Sequence, residues 1–289
     1  MFRLGYNTNG LAHHRLADSM RLVAELGYEG LAITPDVGQL DLFRLDATEI
    51  ADARRWAEEL GLELAIETGA RFLLDARRKH YPTLLEDEAD QRRRRVDFLV
   101  RSIDLGGELG ASVLSLWAGR APAGEVCEDE DLPDGRRAEL FDRLAAGLEI
   151  VLDHARGADM DVAFEPEPGM FVERPAGYGR LLEHMGDGAE RLGLCLDVGH
   201  LVVTGDLPTG AVIRDWAPRL VHVHLDDAVR GTHEHRMFGE GELDLPGTLA
   251  ALAEVGFDRL AAVELSRHSH RGAEAAAEAL QHLWAALAR

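Results

Sequence analysis

Short apolar runs alternate along this chain with longer stretches in which hydrophobic residues recur at helical spacing. The first run, 2–7, ends in the polar group Asn7-Thr8-Asn9-Gly10. Leu16, Met20, Val23 and Ala24 then line one face of a helix over 15–26, closed by Gly27. A strand over 30–34 is broken by Pro35, a helix over 47–60 is stopped by Gly61, and a strand over 62–66 has Glu67 and Thr68 at its end. A long polar segment, 69–87, carries Arg71, Lys79, His80 and Tyr81. Loops of that length in compact domains are often functional. A helix over 88–109 and a strand over 112–117 lead to the acidic stretch 125–134, a helix over 136–158 and a strand over 161–164. The rest reads as a helix near 177–185, a strand over 192–196, a helical stretch near 209–217 and a strand over 220–225. A helix over 245–255, a strand over 259–263 and an alanine-rich helix over 273–287 complete it.

Strands that alternate with helices, with no linker or low-complexity break, predict a parallel sheet. Eight such units in 289 residues fit a closed (β/α)8 TIM barrel, one domain over 1–289, better than an open doubly wound sheet. The dinucleotide-type glycine loop of an open sheet is also missing, because Asn7-Thr8-Asn9-Gly10-Leu11 holds one glycine.

Four runs in the second half end in a residue able to carry chemistry. Glu165 closes Val162-Ala163-Phe164, Asp197 closes 192–196, His224 closes 220–223 and Glu264 closes 260–263, at separations of 32, 27 and 40 residues. In a barrel the active site lies at the C-terminal ends of the strands. Strand alternation gives Ala163, Glu165 and Glu167 one parity, and likewise His222 with His224 and Ala262 with Glu264. All four candidates therefore point into one mouth. Three half-buried acids call for a cation. Three carboxylates and one imidazole suit an octahedral Mn²⁺, Mg²⁺ or Co²⁺ more than tetrahedral Zn²⁺. Glu167 is a rival ligand to Glu165, and His222 to His224. Asp197 also reads as a helix N-cap.

Composition narrows the classes of partner. A net charge of −21 opposes binding to a nucleic-acid backbone. The run Arg92–Arg95 is read as a solvated helix face balanced by Glu86, Asp87, Glu88 and Asp90. No apolar stretch approaches the roughly 20 residues of a spanning helix, and the N-terminus lacks a signal pattern, so no membrane partner and a cytoplasmic location are expected. Cys127 and Cys195 form no CxxC pair, and Cys195 reads as a buried free thiol.

Five motifs arrive in one order: Glu165-Pro166-Glu167-Pro168-Gly169, Asp197-Val198-Gly199-His200, His222-Val223-His224-Leu225-Asp226-Asp227, Gly239-Glu240-Gly241-Glu242-Leu243-Asp244 and Val263-Glu264-Leu265-Ser266. Together they resemble the xylose isomerase-like barrel superfamily, often labelled sugar phosphate isomerase/epimerase, over essentially the whole chain. The resemblance implies a metal-dependent isomerase or epimerase of a sugar, keto-sugar or cyclitol. It implies one divalent metal on Glu165, Asp197, His224 and Glu264, with Glu165 and Glu264 moving protons through an enediolate. His200 matches a substrate-contacting position. A dehydratase on the same metal site and a non-catalytic sugar-binding protein are the alternatives, and a homodimer is left open. Further substrate contacts are expected from Glu167, from His235 and Arg236 after the seventh strand, and from Glu67 and Trp117 after the third and fourth. Arg230, His233, Arg267, His268, His270, Asn7 and His14 are weaker candidates.

Overall fold

The apolar runs form eight parallel strands that close into one ring in the computed structural model, which describes residues 2–288. β1 (Arg3–Asn7), β2 (Gly30–Ile33), β3 (Glu63–Glu67), β4 (Val113–Leu116), β5 (Asp161–Phe164), β6 (Leu192–Asp197) and β7 (Leu220–Leu225) follow one another around it. A short antiparallel hairpin, β8 (Asp227–Val229) with β9 (Thr232–Arg236), then stands outside the ring. The last barrel strand, β10 (Leu260–Val263), pairs with β7 on one side and β1 on the other. This is the (β/α)8 TIM barrel. The expected domain limits, Met1 and Arg289, lie outside the described residues.

Helices follow the periodic stretches, and local chemistry sets their ends. α1 (Leu16–Leu26) stops where Gly27 takes φ 103°, a left-handed conformation that costs glycine little. α2 (Ala47–Leu60) starts with a reciprocal capping box between Asp46 and Glu49. α3 (Ala89–Leu109), α4 (Asp134–Ala158) and α5 (Pro175–Met185) follow. Next come α6 (Val198–Thr204), α7 (Thr209–Trp216), α8 (Leu245–Glu254) and α9 (Gly272–Leu287). None of the described helices is long and apolar enough to cross a membrane. Both cysteines are buried and free.

Two cores result. The larger lies between the helices and the outer faces of the strands. The smaller fills the ring with Ala32, Ala65, Val113, Ala163, Cys195, Leu260 and Ala262. Because alternate residues share a strand face, the residue two positions beyond each of these continues inward one pleat nearer the mouth. Ala65 is thus followed by Glu67, Ala163 by Glu165, Cys195 by Asp197 and Ala262 by Glu264. His222 and His224 share the same relation on β7.

The structure corrects one expectation about α3. Arg93 and Arg94 are exposed, but Arg95 is 1% exposed. Its helical position aligns it with Phe98, Leu99 and Ser102, all buried. Arg95 donates to the Thr68 carbonyl at 2.7 Å and packs over the Trp117 ring at 4.6 Å, so it braces the barrel mouth from behind.

Candidate metal centre

Glu165, Asp197, His224 and Glu264 converge at the C-terminal mouth of the barrel. One donor atom of each lies within 4.8 Å of those of the other three. The imidazole sits among the acids. His224 Nδ1 is 2.9 Å from Glu264 Oε2, 3.1 Å from Glu165 Oε1 and 4.0 Å from Asp197 Oδ2. Asp197 does cap α6, since its Oδ1 accepts from the His200 amide at 2.9 Å. Its Oδ2 is buried and has no hydrogen-bond partner among the described residues. A buried carboxylate oxygen left in that state is costly unless a ligand reaches it.

Electrostatics point the same way. Burial pushes Glu165 up to about 7, with His224 offsetting part of the effect. Burial acts upward on Glu264 too, but His224 and His235 outweigh it and hold that carboxyl well below its usual range. Three acids share one imidazole, so protons or a cation must neutralise the rest. The donor set, the unpartnered Asp197 oxygen and the cavity above them fit a divalent cation.

Beneath the quartet lies a support that the sequence did not reveal. Glu67 Oε1 is 3.0 Å from Nε2 of both His222 and His224. Burial would raise Glu67, but the two imidazoles bring it down to about 2, so it is ionised and accepts from both rings. This hydrogen bond holds one proton of His224 on Nε2 and turns Nδ1 toward the three acids. Burial acts downward on the ring, but Cys195, Glu67, Glu165 and Glu264 raise it well above its usual range, so without metal Nδ1 is protonated too, and a cation would replace that proton. His222 is fully buried against Glu67 and does not join the quartet. Glu167 lines the cavity but also stays outside it.

Glu165, His224 and Glu264 open into a cavity of about 860 Å³, while Asp197 is buried and does not line it. Trp117, His200, His233, His235 and Glu167 line it, as do Asn7, Arg267 and His270 from the weaker candidates. His200 Nε2 and His233 Nε2 are 3.0 Å apart. Burial lowers His200 to about 4 and His233 to about 3, so both rings are neutral near pH 7 and one donates to the other. Burial acts likewise on His235, but Glu264 and Asp226 override it and raise that ring to about 10. Its Nδ1 bonds Asp226 Oδ2 at 2.8 Å.

Strand β9 divides the two residues expected from this region. Alternation sends His233 and His235 to the cavity face and Glu234 and Arg236 to the other. Arg236 pairs with Glu234 at 2.9 Å and does not line the cavity. The described structure also adds two residues not foreseen. Asn9 donates to Glu264 Oε1 at 2.7 Å. Asp226 accepts from the Gly199 amide at 3.0 Å through one oxygen and holds His235 through the other. A polar residue directly after the β7 run was the available signal for Asp226.

A model of the xylose isomerase-like TIM barrel family matches residues 20–286. Among curated proteins, an inosose dehydratase of Lacticaseibacillus casei is 30% identical over 141 residues, which are 43% of this chain and 46% of that protein. The chain thus matches less than half the length of that relative. Among solved structures, an L-ribulose 3-epimerase is 19% identical with a TM-score of 0.76, over 99% of this chain and 95% of that one. The IOLI protein with a binding zinc atom is 17% identical with a TM-score of 0.75, over 99% of this chain and 98% of that one. At such identities the structural likeness establishes the fold alone.

Proposed function

The chain belongs to the xylose isomerase-like TIM barrel family, and from that premise we propose that it is a divalent-metal-dependent isomerase or epimerase of a sugar, keto-sugar or cyclitol. The observation that carries this reading is the quartet of Glu165, Asp197, His224 and Glu264 at the base of a cavity roomy enough for a sugar. The epimerase and inosose dehydratase relatives support the substrate class.

A carbon-bound hydrogen beside a carbonyl is a weak acid, and a cation on the quartet would supply the Lewis acidity that stabilises the oxygen charge left by its removal. Glu165 follows β5 and Glu264 follows β10, with β6 and β7 between them, so they approach a small molecule from different sides. We assign the proton transfers to this pair. One carboxylate, ionised, takes the proton and leaves an enediolate; the other, protonated beforehand, delivers its own proton to the opposite face for epimerisation or to the neighbouring carbon for isomerisation, so the pair exchange protonation states in each turnover. A reversible reaction uses both in both roles. Asn9 orients Glu264, while His200, His235, Glu167 and Trp117 are assigned to substrate hydroxyls and the sugar face. Glu67 lines the cavity and keeps its assignment as a substrate contact, and because its Oε1 is taken up by two imidazoles it is also assigned to the orientation of His224.

The donor set favours Mn²⁺, Mg²⁺ or Co²⁺, and the zinc named for the IOLI structure puts Zn²⁺ among the metals to test. The second reading is a dehydratase, favoured by the similarity to inosose dehydratase. It would begin with the same proton removal and then expel a β-hydroxyl.

Protein stripped with chelator and reloaded with each metal is incubated in D₂O with keto-sugars and cyclitols. Metal-dependent deuterium uptake at carbon, lost in Glu264→Gln, is expected. Uptake accompanied by loss of water from the substrate would favour the dehydratase. Full activity in Glu264→Gln would remove the role given to that residue.

A further inference from the structure

The residues that hold the cation would recognise one end of a substrate; the basic residues of the same cavity give its lining a second character. Arg71, Lys79 and Arg267 all line it, in a chain with 31 basic residues against 52 acidic ones. Lys79 is the only lysine in the chain. Neither Lys79 nor Arg267 forms an ion pair among the described residues; Arg267 donates to the His233 carbonyl at 3.1 Å, and Lys79 stands exposed at the rim. Arg71 lies 3.4 Å from Asp36 and donates to the Asn9 carbonyl at 3.2 Å, which fixes its guanidinium beside the mouth.

The backbone holds these charges together. In the loop after β3, the His80 amide donates to the Arg71 carbonyl at 2.6 Å, so Arg71 and Lys79 are adjacent while 72–78 loop away. Ala70, Arg71 and His80 have φ values of 56°, 31° and 70°. Three residues with side chains in that region cost free energy, and strain of this kind clusters where a ligand is gripped. Partial desolvation, then the charge of Arg71, lowers the Lys79 ammonium below its usual range; Glu167 opposes this and Arg267 adds to it. Like charges gathered this closely are relieved when an anion arrives.

We infer that Lys79, Arg71 and Arg267 form an anion subsite at the cavity rim, so that the substrate is an acidic sugar bearing a phosphate ester or a carboxylate at the end away from the metal ligands. The inference rests on the sugar reading above and adds its substrate class. The quartet takes the oxygens beside the reacting carbon, and the basic rim fixes the other end, which orients the molecule along the cavity.

Because Lys79 is the only lysine, acetylation read by peptide mass spectrometry reports on the subsite without any turnover. Inorganic phosphate and acetate are the two probes, with chloride at equal ionic strength as control. Protection of Lys79 by one probe, lost in Arg267→Gln, is expected; the probe that protects names the anion. Equal labelling under all three salts would overturn the subsite. In the D₂O assay, neutral keto-sugars are compared with their phosphate esters and their uronic acids. The anionic form is expected to be preferred by about tenfold or more in kcat/KM, with the preference lost in Lys79→Gln. Equal rates for neutral and anionic forms would overturn the inference while leaving the sugar chemistry intact. Should no compound exchange, the sugar reading fails and the labelling experiment alone decides the subsite.

Discussion

Replacing Glu67 by glutamine tests the link between the barrel interior and the metal centre. The side chain keeps its length and one oxygen that can accept from His222 and His224, but loses the negative charge that two imidazole N–H groups now share at 3.0 Å. The new amide must also find an acceptor in a site where Glu67 is 6% exposed. Hydrogen bonds to a charged group contribute about 1.5–3 kcal/mol, and removing the partner behind a ligating imidazole costs roughly 10–100-fold in metal affinity. We expect Glu67→Gln to weaken Mn²⁺ binding by that factor in isothermal titration calorimetry. The chelator-treated variant should keep its fold, as judged by near-UV circular dichroism. A change in affinity smaller than about threefold in a folded variant would refute the claim that Glu67 sets the His224 tautomer.

Other outcomes follow from the same geometry. Chelator-treated protein should lose stability as pH rises from 7 to 9. Glu165 is raised to about 7, and Glu167, Asp226 and His224 are raised well above their ordinary values, so the folded state holds protons that the unfolded chain has already released. Thermal melts should show this fall, and Mn²⁺ should reduce it by replacing the protons; a flat profile without metal would contradict the charge balance. Gly199→Ala should destabilise the fold by about 1–3 kcal/mol in urea titrations, since the added carbon would meet Asp226 Oδ1 at 2.1 Å. That clash would also displace the carboxylate that holds His235, so stability equal to that of the parent would show the close approach to be unimportant. Mn²⁺ affinity should fall as pH drops below about 7, because a proton competes for Glu165. Binding unchanged between pH 8 and pH 5 would count against Glu165 as a ligand.

Much of the barrel was legible because each strand is a short apolar run and each helix a longer periodic one. Strand limits moved by a residue or so: β3 is Glu63–Glu67 where 62–66 was expected, and β10 begins at Leu260 rather than 259. The strand-end acids stood out because a charge directly after an apolar run has few structural uses. Three features were not legible. The β8–β9 hairpin carries Thr232-His233-Glu234-His235-Arg236, which alternates between two faces without any apolar residue to mark them. For that reason Arg236 was grouped with His235 although it faces away. Arg95 was hidden inside a run of four arginines, and only its spacing to Phe98 and Leu99 betrays its burial. Glu67 was visible as a strand-end acid, but its partners lie 155 and 157 residues away, and only closure of the ring brings them to it.

The proposed chemistry depends most on four side chains holding one cation between them. Crystals grown from chelator-treated protein and soaked in Mn²⁺, with data collected at the manganese edge, test this directly. A single anomalous peak bonded to Glu165, Asp197, His224 Nδ1 and Glu264 is the predicted result. No peak among these residues at saturating Mn²⁺, or a metal bound elsewhere with the quartet closed on its own protons, would contradict it.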